Sequence, residues 1–257
     1  MTTVPGSVDP ASAAGHPPPW LAGLAERMRD LREDAVPEAL RDRVPGPGEA
    51  TRRASVLMLF GERADAVDAA ADLAAPGPAT GGPPPADVLL LQRSADLRHH
   101  GGQVAFPGGA ADPGDGGPIG TALREAQEET GLDPDGVAPL VVMPELYIPP
   151  SGFSVSPVLA YWRRPSPVRA VDQGETARVA RIPLADLVDP VNRFQVGMAG
   201  QYKGPAFMVD GMLVWGFTAG LLSTLIGAAG WEQPWDQDDV RELSTTLAGL
   251  DEQAGPR

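Results

Sequence analysis

The sequence predicts an α/β fold, of the mixed α+β kind, with one mixed β-sheet sandwiched between helices. Three observations predict it. Short apolar runs of strand length, such as Ala54 to Phe60, stand beside segments with apolar residues at helical spacing. The two kinds do not alternate strictly, so an all-parallel sheet of βαβ units is disfavoured. Proline and glycine separate them throughout, with 31 Gly and 29 Pro in 257 residues and no period to the excess.

In order along the chain, residues 1–19 are rich in Pro, Ala, Ser and Gly and are expected to be a disordered tail. Trp20, Leu24, Met28 and Leu31 recur at helical spacing and predict an amphipathic helix. Residues 36–52 read as a loop. Ala54 to Phe60 and Val88 to Leu91 are strands, joined by a Pro/Gly-rich loop at 72–87 that reads as an expanded hairpin connection. Gln103 to Phe106 is a third strand, ended by Pro107-Gly108-Gly109. A helix is expected from Ile119 to Thr130, with Gly131 as its C-terminal cap. Further strands are expected at Leu140–Met143, Val155–Tyr161, Ala177–Ile182 and Phe207–Val209, with a helical turn at Leu184–Val188. Helices at Trp215–Ala228 and Asp236–Leu247 complete one domain over residues 20–250, whose motifs lie within 88–225.

Composition removes several functions. Cysteine is absent, which excludes disulfides, thiolate metal sites and a cysteine nucleophile. With 34 acidic against 20 basic residues, the formal charge of −14 repels a nucleic-acid backbone. An anionic ligand therefore needs a local basic patch or a metal ion. The uncharged stretch Gly211 to Gly230 holds five glycines and no flanking cation, so it reads as a core helix and not a membrane span. No secretory signal is visible, and the expected location is the cytosol.

The chemistry concentrates in Arg124-Glu125-Ala126-Gln127-Glu128-Glu129-Thr130-Gly131-Leu132. On a helix Glu125, Glu128 and Glu129 fall at i, i+3 and i+4, on one face. Three like charges so spaced repel each other, and a hard divalent cation such as Mg²⁺ relieves the repulsion. A solvated acidic face accounts for the glutamates taken alone.

The context adds to that pattern. Phe106-Pro107-Gly108-Gly109 leads by a glycine-rich loop into the acidic helix, and the layout resembles the Nudix hydrolase signature G-x5-E-x7-R-E-U-x-E-E-x-G-U, with U apolar. Arg124 to Leu132 match at every specified position. Counting from Gly109, Asp115 replaces the first Glu, and eight residues instead of seven separate it from Arg124. Just upstream, Leu89-Leu90-Leu91-Gln92-Arg93-Ser94, Arg98, Gly102 and Phe106 to Gly109 resemble the added signature of the coenzyme A diphosphatase branch, L-L-T-x-R-(S/A)-x3-R-x3-G-x3-F-P-G-G. Only its Thr is missing, replaced by Leu91.

The resemblance implies the Nudix fold and a Mg²⁺- or Mn²⁺-dependent diphosphatase. It implies Glu125 and Glu129 as direct metal ligands, and Glu128 as a third ligand or the base acting on water. Arg124 would orient a glutamate. Gly108 and Gly109 would let the backbone approach metal or phosphate, although an ordinary turn explains them equally well. Arg93 and Arg98, clustered with His99 and His100, would bind substrate phosphates. Glu175 and the single lysine, Lys203, carry weaker cases for contact with metal and phosphate. The implied substrate is the small molecule coenzyme A or acyl-CoA, with no nucleic-acid or membrane partner. The alternatives are another nucleoside diphosphate derivative, such as ADP-ribose or a dinucleotide, or a silent nucleotide-sensing domain.

Overall fold

Strand β1 (Arg52–Glu62) pairs along its length with β7 (Phe153–Trp162), in parallel, from Arg52 opposite Phe153 to Phe60 opposite Tyr161. In this computed structural model, which describes residues 15–29, 52–63, 82–97, 100–149, 151–198 and 202–254, that pair is the middle of an eight-stranded sheet. Strand β2 (Ala86–Arg93) lies antiparallel to β1, so the Pro/Gly-rich segment does connect a hairpin. Outside β2 come β3 (Val104–Ala105) and β8 (Thr176–Pro183). On the other side β5 (Val137–Val142) and β6 (Leu146–Ile148) pair with β7, and β4 (Gly108–Ala110) pairs with β1.

The sheet is covered on both faces, which explains why β1 reads as a continuous apolar run. Leu57 and Leu59 of β1, Leu89 of β2 and Val158 and Ala160 of β7 pack against Ala122 and Ala126 of helix α2 (Pro118–Thr130). The alternate residues Met58, Phe60, Val88, Leu90 and Leu159 face the other way. They meet Leu21, Leu24 and Met28 of α1 (Pro19–Arg29). Beyond α3 (Leu184–Val188), helix α4 (Gly216–Ala229) adds Leu221, Leu222, Leu225 and Ile226 to the same core. Each fully buried leucine contributes about 1.5–3 kcal/mol of hydrophobic stabilisation. The Trp20 ring fixes α1 through contacts with Phe60 and Trp231 at centroid distances of 6.3 and 5.7 Å.

Helix α2 starts with Pro118 at its first position and stops at Gly131, whose φ of 70° is the left-handed cap expected there. Helix α4 is largely buried, and among the described residues no helix is long and apolar enough to cross a membrane. Of the tail expected over residues 1–19, residues 1–14 lie outside the described residues, as do the loop up to residue 51, most of the hairpin connection and Leu31, while Pro19 already belongs to α1.

Three expectations need correction. Gly108–Ala110 is a strand, not the end of one, because its backbone pairs with Ala54–Val56 of β1. A second, four-stranded sheet is present, in the order β11 (Met212–Val214), β10 (Tyr202–Val209), β9 (Arg193–Met198), β12 (Val240–Glu242). Of it the sequence disclosed only the end of β10. The helix expected from Asp236 begins instead at Leu243, as α5 (Leu243–Ala254), after β12. The Asp236 carboxylate turns the chain by accepting the N–H groups of Asp238 and Asp239, and Glu242 caps α5 by accepting the Thr245 N–H at 2.7 Å.

Candidate active site

Helix α2 and strand β4 build the site between them. At Gly108, where φ is +158°, an added Cβ would collide with the Ser55 carbonyl oxygen. At Gly109 it would stand 2.5 Å from the Glu125 carboxylate. Close approach, not a turn, is what requires these two glycines. One lets the backbone lie against β1, and the other leaves room for an acidic side chain above it.

Glu129 reaches back across this strand, and its Oε2 accepts the Gly108 N–H at 2.9 Å. Its side chain is only 9% exposed. Burial pushes its carboxyl up to about 7, opposed by the Gly108 hydrogen bond and assisted by the Glu125 charge. Burial also raises the Glu125 carboxyl, with Arg124 opposing. Two partly desolvated carboxylates thus stand together, Glu125 held by Arg124 and Glu129 with Arg93 as its nearest cation. Arg93, at the end of β2, brings Nη1 to 3.9 Å from Glu129 Oε1. Glu175, before β8, lies near enough for its charge to raise Glu129 further, and its carbonyl accepts the Ser94 N–H.

Arg124 organises the other acids. Its Nε and Nη2 donate to Asp115 at 2.7 and 3.1 Å, and Nη2 also donates to the Ala110 carbonyl. Its Nη1 donates to Glu125 at 3.0 Å and to Glu128 at 2.9 Å. Asp115 in turn accepts the Asp112 N–H and the Thr121 hydroxyl. The Arg124 guanidinium, then the Asp112 N–H and Thr121, hold the Asp115 carboxyl well below the usual carboxylate range. Asp115, despite the extra residue before Arg124, therefore grips the arginine through both oxygens. Thr121 was not singled out from sequence, since nothing local marks a threonine as the partner of an acid six residues earlier.

The three glutamates share a face as their spacing requires, but Arg124 draws Glu125 and Glu128 one way while Gly108 draws Glu129 another. Among the described residues no three His, Asp or Glu side chains converge as they stand on a space for an ion. The donor set is nonetheless all carboxylate oxygen, the chemistry that hard divalent cations prefer. Of the remaining expected residues, Arg98 and His99 lie outside the described residues. His100 hydrogen-bonds Gln103 at 3.0 Å. Lys203 is exposed on β10, in the second sheet.

A family model described as the NUDIX domain matches residues 80–199. A curated relative from Pectobacterium atrosepticum, described as "Uncharacterized Nudix hydrolase NudL", is 37% identical over 145 residues, which are 55% of this chain and 74% of the relative. A protein of the same description from Escherichia coli (strain K12 / DH10B) is 36% identical over 147 residues, 55% of this chain and 74% of its own. Among solved structures, a NUDIX hydrolase from Alicyclobacillus acidocaldarius aligns with a TM-score of 0.43 at 17% identity, covering 71% of this chain and 94% of that one. Identity of this level over about three quarters of a relative's length, with a family match whose span contains the glycine strand and acidic helix just described, means that the chain belongs to the Nudix hydrolases, enzymes that cleave diphosphate bonds.

Proposed function

We propose that the chain hydrolyses the diphosphate bond of coenzyme A or an acyl-CoA, with Mg²⁺ or Mn²⁺ held at the acidic face of α2. Water adds to one phosphorus while the bridging P–O bond breaks, and the products are 3′,5′-ADP and 4′-phosphopantetheine or its acylated form. The observation that carries this reading is the contact between Arg93 and Glu129 at 3.9 Å. Arg93 belongs to the upstream signature and Glu129 to the Nudix helix, so the two motifs meet in one site.

The residues present fit a hard divalent cation. Glu129 lies beside Glu125 and is raised to about 7, chiefly by burial, and Gly109 keeps the space over Glu125 clear of any side chain. Glu125 and Glu129 would hold the ion, with Glu128 as a third ligand or as the base acting on water. When bound, such an ion neutralises diphosphate oxygens and lowers the pKa of an attacking water. The chain's own groups do the positioning. Gly108 N–H orients Glu129, Arg124 restrains Glu125 and Glu128, and the Arg93 guanidinium offers donors to phosphate oxygens at the same place.

The test is kcat/KM for coenzyme A, 3′-dephospho-coenzyme A, ADP-ribose and a dinucleotide, each with Mg²⁺. Coenzyme A or an acyl-CoA is expected to lead. A clear preference for ADP-ribose or a dinucleotide overturns the substrate and leaves the family chemistry in place.

A further inference from the structure

Strands β2 and β8 fall out of step beside the candidate active site. Their antiparallel pairing runs regularly from Asp87 opposite Pro183 to Gln92 opposite Arg178, and there it shifts. Regular pairing would next set Ala177 opposite Arg93, but Thr176 stands there instead, so Ala177 is the extra residue of a β-bulge. The face follows from the alternation along β2. Leu89 and Arg93 share one face, on which Leu89 packs against α2 and Arg93 comes to 3.9 Å from Glu129. The bulge therefore turns Thr176, which regular pairing would set on the opposite face, toward the side of the sheet that carries the acidic helix.

Residues directly opposite in an antiparallel pair have Cβ atoms about 5 Å apart. Thr176 is only 1% exposed, and its hydroxyl oxygen is buried with no hydrogen-bond partner among the described residues. Arg93 Nε is likewise buried and unpartnered. The Arg93 Nη1 is drawn by the Glu129 charge, but at 3.9 Å the two do not hydrogen-bond. A donor and an acceptor on neighbouring residues, both buried and both unsatisfied, each cost free energy as they stand. The backbone around them is fixed. Arg93 N–H donates to the Gln103 carbonyl at 2.9 Å, Ser94 N–H to that of Glu175 at 2.8 Å and Thr176 N–H to that of Asp172 at 2.8 Å. The Arg93 side chain, 32% exposed, is the part free to turn.

We propose that Thr176 is a positioning residue for Arg93: its Oγ1 accepts the Arg93 Nε–H when the guanidinium turns from Glu129 to the diphosphate, leaving both Nη groups to donate to phosphate oxygens. This role rests on Arg93 being a phosphate-binding group, and not on which diphosphate is cleaved. Glu129 is an expected metal ligand, so in a loaded site its charge no longer holds Arg93. A long, rotatable arginine loses side-chain entropy when it grips phosphate. A fixed acceptor at Nε reduces that loss by setting the plane of the guanidinium fork. The gain is equal in ground state and transition state, so it belongs to KM and not to kcat.

The test is steady-state kinetics of Thr176→Val, Thr176→Ser, Arg93→Ala and the double variant Arg93→Ala/Thr176→Val. The substrate is whichever of the diphosphates named above is hydrolysed best, and thermal melts of the metal-free proteins run beside it. Valine keeps the shape and branching of threonine and removes the hydroxyl. Thr176→Val is expected to raise KM about tenfold with kcat within about twofold of the parent, and Thr176→Ser to recover most of the loss. The melting temperature of Thr176→Val should equal or exceed the parent's, because an unsatisfied hydroxyl leaves the interior. In the double variant KM should match that of Arg93→Ala alone, since the hydroxyl acts only through that side chain. An unchanged KM in Thr176→Val, a melting temperature lowered together with kcat, no recovery by serine, or full additivity with Arg93→Ala overturns the role of Thr176. If Arg93→Ala raises KM and Thr176→Val does not, Arg93 remains a phosphate-binding group and the positioning role alone fails. If Arg93→Ala leaves KM unchanged for every diphosphate, the phosphate-binding role of Arg93 fails and that of Thr176 falls with it.

Discussion

Asp115 and Arg124 are joined edge to edge, with Asp115 Oδ1 accepting from Arg124 Nε at 2.7 Å and Oδ2 from Nη2 at 3.1 Å. The pair ties the loop before α2 to the middle of the helix. It also commits one edge of the guanidinium, so that only Nη1 remains to restrain Glu125 and Glu128. Asp115→Asn keeps the shape and removes half of this grip. We expect kcat/KM to fall about tenfold or more, with Asp115→Glu recovering part of the loss. Full activity in folded Asp115→Asn would show that the glutamates alone hold Arg124.

The acidic face makes a second, stricter prediction. Glu129→Gln keeps the hydrogen bond from Gly108 available but removes the charge. Turnover with saturating Mg²⁺ should drop by about two orders of magnitude or more, with the circular dichroism spectrum unchanged. Near-normal turnover by the folded variant would remove Glu129 from the chemistry.

The raised Glu129 carboxyl predicts how the metal-free protein responds to pH. Its folded value of about 7 lies above the ordinary 4.5, so the folded state holds the proton more tightly than the unfolded state. Stability should therefore decline as pH rises from about 4.5 to about 7 and level off above that, by up to about 3 kcal/mol from this group. Glu129→Gln should flatten the decline. Mg²⁺ at pH 8 should raise the melting temperature of the parent more than that of the variant. Thermal melts across pH, with and without Mg²⁺, check each point, and a metal-free protein more stable at pH 8 than at pH 5 would contradict the sign.

Neighbouring glycines should fail in different ways. A Cβ at Gly108 meets the Ser55 backbone, which cannot step aside, so Gly108→Ala should cost about 2 kcal/mol or more in stability. The nearest atoms to a Cβ at Gly109 are those of the Glu125 carboxylate, the far end of a side chain and not backbone. Gly109→Ala should fold nearly as well as the parent and lose activity, because the displaced carboxylate is one of the expected metal ligands. Denaturant melts and turnover, measured side by side, distinguish the two. Equal stability losses would refute the contrast.

What the sequence determined by itself was local. The helix spacing of Glu125, Glu128 and Glu129 put them on one face, Gly131 ended that helix, and the apolar runs of β1, β2, β7 and β8 announced strands. These signals repeat over a few residues and depend on backbone geometry alone. Only the tertiary structure decided the relations between distant segments. It chose Asp115 as the partner of Arg124, set Gly109 beneath Glu125, brought Arg93 to Glu129, and set Thr176 opposite Arg93. It also built the second sheet from short strands such as β11 and β12, of three residues each, which are too brief to show a period of their own. The reason is physical: a strand's register and a side chain's partner are set by what packs beside them, and that neighbour lies far away in sequence.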